Sequence, residues 1–192
     1  MWVAASTSVL AALLFVACGG GSSHAAAPAT APSTSATAAA TTSTTWPDVA
    51  PTAAGFVNIN TMARVEDHFV GSLNGHLAAA LKVAHSAAGG VYPVGTVIQL
   101  IPTEAMVKRH AGYSPSTGDW EFFSLRASAQ GTAILKSGVK VKNFVGLDCA
   151  SCHTAAAGKF DFVCGKTHGC APLPVTDKII ADIQRGDPRP KG

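Results

Sequence analysis

Between residues 62 and 88 the apolar positions recur at helical spacing. Val65, Phe69, Leu73, Leu77 and Leu81 stand four apart, and Val70 and Ala84 fall on neighbouring rows. The spacing predicts one long amphipathic helix over 62–88. Glu66 and Asp67 come early, where they favour the helix dipole, and Gly89-Gly90 supplies the stop. After that the period changes. Residues 95–101 are β-rich without alternating polarity, the pattern of a buried strand. Residues 119–126, carrying Trp120, Phe122 and Phe123, predict a second strand. Segments 132–136 and 139–144 flank Ser137-Gly138, a two-residue hairpin signal, and Val139 and Val141 alternate with Lys140 and Lys142. A short helix over 177–185 would bury Ile179, Ile180 and Ile183 and stop at Gly186 before Pro188. The expected class is α+β: a small, largely antiparallel sheet packed by a long N-terminal helix and short C-terminal helices.

Charge changes that picture at the N-terminus. The chain has 192 residues with 14 Lys+Arg and 11 Asp+Glu, and none of these charges precedes Asp48. Residues 1–18 read as an export signal with a short apolar core ending in Val16-Ala17-Cys18. That ending resembles a bacterial lipobox, in which Cys18 becomes the lipidated residue and anchors the protein on the periplasmic side of a membrane. Residues 19–49 are an Ala/Thr/Ser/Pro tract, too poor in large apolar residues to offset the entropy of ordering, and read as a tether. Residues 50–192 are left as one domain. No apolar run reaches the roughly 18 residues of a membrane span. The net charge of +3 is small and dispersed, which argues against a nucleic-acid partner.

Four of the five cysteines fall at the C-terminal end. Cys149-Ala150-Ser151-Cys152-His153 is a Cys-x-x-Cys-His sequence, the attachment motif of c-type haem. Two thiols three apart sit on one helical turn, where each can add to a haem vinyl group. The adjacent His then ligates the iron. A redox dithiol and a zinc site use the same Cys pair; the zinc site would draw on Cys164, His168 or Cys170. Cys164 and Cys170 flank a short polar loop and are expected to form a disulfide in an oxidising compartment.

Three segments together resemble the cytochrome P-460 family, which includes the cytochromes c′-beta. They are Tyr92-Pro93-Val94-Gly95-Thr96, Gly118-Asp119-Trp120-Glu121-Phe122-Phe123, and the haem motif followed by Lys159-Phe160-Asp161-Phe162-Val163. The resemblance covers roughly residues 65–165. It implies a small sheet with packed helices, a homodimer, His153 as proximal iron ligand, an open distal face, and either hydroxylamine oxidation or nitric oxide binding. Enzymatic members carry a lysine cross-linked to the porphyrin. The strand after Pro-x-Gly-Thr has none here, and Lys82, Lys108 and Lys136 are the alternatives.

For the sixth iron position the candidates are Met62, Met106, His110 and His168, with His168 foremost. His68, His76 and His85 fall on the long helix and are expected at its surface. Lys108 and Arg109 are candidates to pair with haem propionates, against a plain surface role. No methionine follows Met106. Phe69, Phe122, Phe123 and Phe144 are candidates to line an apolar distal pocket over five-coordinate iron, against a plain core-packing role. The sequence thus points to an exported monohaem cytochrome that binds small gaseous or N-oxide ligands, transfers electrons to redox partner proteins, or both. The alternatives are a P-460-like hydroxylamine or peroxide oxidoreductase and a six-coordinate electron carrier.

Overall fold

In the computed structural model, which describes residues 46–166, 168–170 and 172–192, six strands pair in chain order into one antiparallel sheet. They are β1 (Ala63–Val65), β2 (His68–Ser72), β3 (Thr96–Gln99), β4 (Glu104–Lys108), β5 (Trp120–Ser128) and β6 (Gly131–Gly138). Three helices accompany them: α1 (Leu77–Ala84), α2 (Cys149–His153) and α3 (Asp177–Arg185). The architecture is α+β. The export signal with Cys18, and the tether as far as residue 45, lie outside the described residues. The end of that tract is packed on the domain: the Trp46 ring lies 3.6 Å from that of His76, and Asp48 pairs with Arg109.

The long helix over 62–88 is not formed. Its first half is the β1–β2 hairpin, in which Val65 pairs with His68 around a Glu66-Asp67 turn. Glu66 has φ 53°, a left-handed conformation that a helix interior excludes. The fourfold spacing of Val65, Phe69 and Leu73 is therefore coincidental. Val65, Phe69 and Val70 are β-branched or aromatic and suit strands. Only the second half, Leu77–Ala84, is helical.

Strands β3 and β5 fall where the pattern placed them. The predicted hairpin turn at Ser137-Gly138 does not: those residues close the end of β6, and the β5–β6 register turns between Ser128 and Gly131. Residues 139–144 form no strand, and Lys142 makes an isolated bridge to Asp148. Strand β4 was not foreseen. Ala105, Met106 and Val107 are buried on alternate faces, so no polar alternation marks the segment.

One sheet face carries Val70, Ile98, Met106, Trp120 and Phe122, and against it pack Leu77 and Leu81 of α1 and Cys149 and Ala150 of α2. The opposite face carries Val97, Ala105, Val107, Phe123 and Leu125, covered by Phe56. The chain end is clamped to the domain. Buried Arg189 pairs with Asp187 and donates to the Phe56 carbonyl at 3.0 Å, while Asp187 accepts from Ile59 N at 2.8 Å.

Candidate functional site

Helix α2 is a single turn made of the Cys-x-x-Cys-His residues. Asp148 caps it: its side chain accepts from Ser151 N at 2.9 Å, and Cys149 N donates to Val141 O at 3.1 Å. Positions three and four apart lie on one helix face, so Cys149, Cys152 and His153 present together. Both thiols are free and partly buried. Burial, followed by the nearby Glu104 and Asp148 charges, pushes the Cys149 thiol up to about 12. A redox Cys-x-x-Cys needs a readily formed thiolate, and this environment opposes one.

His153 is held from behind. Its Nδ1 lies 2.7 Å from the Phe162 carbonyl oxygen, and its ring centroid is 5.4 Å from that of Phe122. With Nδ1 donating to the carbonyl, the lone pair resides on Nε2, the arrangement of a metal-ligating histidine. Desolvation lowers the pKa of His153 and keeps the ring in the neutral, ligating form.

The Phe162 carbonyl is placed by a buried network. Asp161 accepts from Lys108 Nζ at 2.7 Å on both oxygens and from Tyr92 N at 2.8 Å, and its own carbonyl accepts from Trp120 Nε1 at 2.7 Å. Lys108 Nζ also donates to Gly118 O at 2.7 Å and lies 5.3 Å from the Trp120 ring centroid. Asp161 and Phe162 both take positive φ, 49° and 64°. Gly118 packs so closely on the Phe162 ring that a Cβ there would collide with it. All three segments carrying the family resemblance therefore meet behind His153. Lys108 is a buried ion-pair partner and neither a surface charge nor a propionate ligand. Arg109 is likewise committed, to Asp48 and Glu121.

A cavity of about 480 Å³ opens beside α2, within the ~300–1,000 Å³ range of ligand and cofactor pockets. Ile98, Met106 and Phe122 line it from the sheet, Cys149, Cys152 and His153 from α2, and Leu173, Val175, Ile180 and Gln184 from the C-terminal segment. Arg64 and Lys166 also line it, together with the carboxylates of Asp67, Glu104 and Asp177, so its rim carries charge of both signs. Cys164 and Cys170 form the expected disulfide, with Cα atoms 5.6 Å apart, and border the same cavity. Their sulfurs and a ring nitrogen of His153 lie within 4.8 Å of one another. This is not a zinc set: the sulfurs are bonded to each other and Nδ1 is engaged by Phe162.

Other candidates separate. Phe122 and Phe123 line the cavity, Phe69 is buried outside its lining, and Phe144 is 49% exposed in the turn before α2. His168 stacks on Phe160 with centroids 3.6 Å apart and is not among the lining residues. Met62 packs on the opposite sheet face, and His110 is exposed. His76 precedes α1 against Trp46, and His85 is exposed, as expected. Met106 does line the cavity. Lys82 and Lys136 are exposed, and neither lines it.

His68 contradicts the surface expectation. It is 5% exposed and lines the cavity, and both ring nitrogens lack a hydrogen-bond partner. A buried unpaired polar group costs about 1–3 kcal/mol. Asp67 Oδ1 stands 3.5 Å from Nδ1, without hydrogen-bond geometry. A turn that reverses the chain after Val65 buries what a helix would have exposed. Compared with known proteins, the chain matches no protein-family model, no curated protein and no solved structure.

Proposed function

We propose that this protein is an exported monohaem c-type cytochrome that transfers electrons to redox partner proteins, its haem held in the cavity beside α2. Cys149 and Cys152 would hold the haem through thioether bonds, and His153 would bind iron through Nε2. One observation carries the reading: the three motif residues share one turn of helix that opens onto a cavity of cofactor size, with His153 Nδ1 tied back at 2.7 Å. Haem bound there supplies a one-electron Fe(III)/Fe(II) couple and an iron able to take a small axial ligand.

The chain's own residues have defined tasks. The Phe162 carbonyl orients His153 and raises its basicity. Ile98, Met106 and Phe122 would give the haem an apolar packing surface on the sheet. Arg64 and Lys166 offer positive charge to the propionates. The Cys164–Cys170 disulfide belongs to an oxidising compartment and so accords with export through residues 1–18, lipidation at Cys18 and a periplasmic location. The hydroxylamine-oxidising alternative is the weaker one. Lys82 and Lys136 are exposed and Lys108 is bound to Asp161, which leaves none of the three at the cavity.

The test is intact mass of the mature protein after expression with haem-maturation machinery. The mass should exceed that of the peptide by one haem, and acid-acetone should leave the pigment on the protein. Extraction of the pigment, or a Cys149→Ala/Cys152→Ala variant that keeps covalent haem, would overturn the assignment.

A further inference from the structure

We propose that His68 is the second axial ligand of the iron, binding through Nε2 opposite His153, so that the resting protein is a bis-histidine, six-coordinate cytochrome. The inference rests on the haem reading above and goes beyond it.

Three observations converge on His68. First, it opens β2, and strand alternation puts it on the same face as Val70. Val70 pairs with Ile98, Ile98 with Met106, and Met106 with Phe122, whose ring packs on His153. The two histidines thus stand over one sheet face and line one cavity. Second, His68 is nearly inaccessible, yet neither ring nitrogen has a hydrogen-bond partner. Among the described residues, the only other buried side-chain polar atom in that condition is Gln99 Oε1. A buried imidazole facing a cavity with an unused lone pair has the chemistry of a ligand awaiting its metal.

Third, His68 is held in place. The Asp67 carbonyl accepts from Gln184 Nε2 at 2.6 Å, and the same amide donates to Leu100 O at 2.9 Å, so α3 pins the turn from which His68 projects. Asp67 Oδ1 stands 3.5 Å from Nδ1, outside hydrogen-bond geometry, and Nε2 is unengaged. Met106 is the competing ligand at the cavity. It lies mid-strand in the core, and burial deprives a thioether of little, so it carries no comparable unmet requirement. Exogenous gaseous ligands would then bind only by displacing His68, which replaces the open distal face expected from sequence.

The test is spectroscopic and uses the full-length haem-loaded protein. Wild type should be low-spin in both oxidation states, with the near-infrared charge-transfer band of bis-imidazole ferric haem and no thioether band. His68→Ala should keep its covalent haem, become high-spin and bind carbon monoxide readily. Added imidazole should restore the low-spin spectrum, which a merely structural role would not produce. His68→Met should acquire the thioether band. A high-spin wild type overturns the inference, as does a His68→Ala protein that stays low-spin, or loss of the low-spin state in Met106→Leu. If His68→Ala does not accumulate, the wild-type near-infrared band alone decides the ligand pair. Failure of the haem reading is separate, because it would leave wild type without covalent pigment.

Discussion

Lys108 shows how much a single side chain depends on its surroundings. In sequence it begins a basic pair and reads as surface. In the fold its ammonium is buried against Asp161, with both side chains 7% exposed. Removing one partner of a buried pair leaves an uncompensated charge, which costs far more than the net worth of the pair. Lys108→Met should therefore destabilise the protein by about 3–5 kcal/mol in urea unfolding. Adding Asp161→Asn should recover part of that loss, because the orphaned carboxylate is gone. If the two substitutions are additive, the pair is not coupled. Asp161 also fixes the segment whose carbonyl orients His153, so the Lys108→Met holoprotein should show a perturbed proximal-ligand spectrum. His68 carries the same lesson with opposite consequence. Its ring nitrogens are buried without hydrogen-bond partners, a cost that the rest of the fold carries.

Among the elements, α3 was the most legible. Its span, its stop at Gly186 and its amphipathic pattern all appear as read, with Thr176 added as the cap. The pattern was too generous about which isoleucines are buried. Ile180 is 7% exposed and lines the cavity, whereas Ile179 is 46% exposed. Ile180→Ala should cost about 2–5 kcal/mol, and Ile179→Ala should stay within about 0.5 kcal/mol. Equal effects in thermal or chemical unfolding would refute this orientation of the helix.

The clamp that follows α3 supplies a pH dependence. Burial opposes ionisation of Asp187, but the Arg189 side chain and the Ile59 and Arg189 amides outweigh it and hold the carboxyl below its usual range. A carboxyl depressed in the folded state stabilises fully above its unfolded pKa of about 3.9, and that stability is lost as pH falls through the folded value. The urea midpoint should drop as pH falls below about 4, and Asp187→Asn should flatten that drop while lowering stability at neutral pH. An unchanged slope in the variant would assign the acid sensitivity to another carboxyl.

For the whole molecule, the expected arrangement is a haem domain joined through an Ala/Thr/Ser/Pro tract to a lipid anchor at Cys18. Wild type should fractionate with membranes and Cys18→Ser with the soluble fraction. A soluble wild type, or a variant that stays membrane-bound, removes the lipobox reading. The sheet forms in chain order, and its two apolar faces divide the work. One is sealed by Phe56 and the 3₁₀ turn Ala53–Gly55, and the other is shared by α1, α2 and the cavity.

Several features were determined locally and could be read from the chain alone. The Cys-x-x-Cys-His spacing puts three reactive groups on one face once the segment turns helical, and the Asp148 cap that starts the turn is also local. Cys164 and Cys170 are close enough in sequence to bond without help from distant segments. Strands β3 and β5 and helix α3 carry their own periodicity. What tertiary structure decided is where local pattern was ambiguous or silent. Val65, Phe69 and Leu73 fit a helix or a hairpin, and pairing of β2 with β3 selected the hairpin. Strand β4 is buried on both faces, so it shows no alternation to detect. Lys108 took its role from Asp161, 53 residues away in the chain, and His68 is buried beside a turn whose Asp67 carbonyl is held by Gln184 of α3. Periodicity describes a segment's preference over a few residues, whereas burial and charge pairing are settled by whatever the fold brings opposite it.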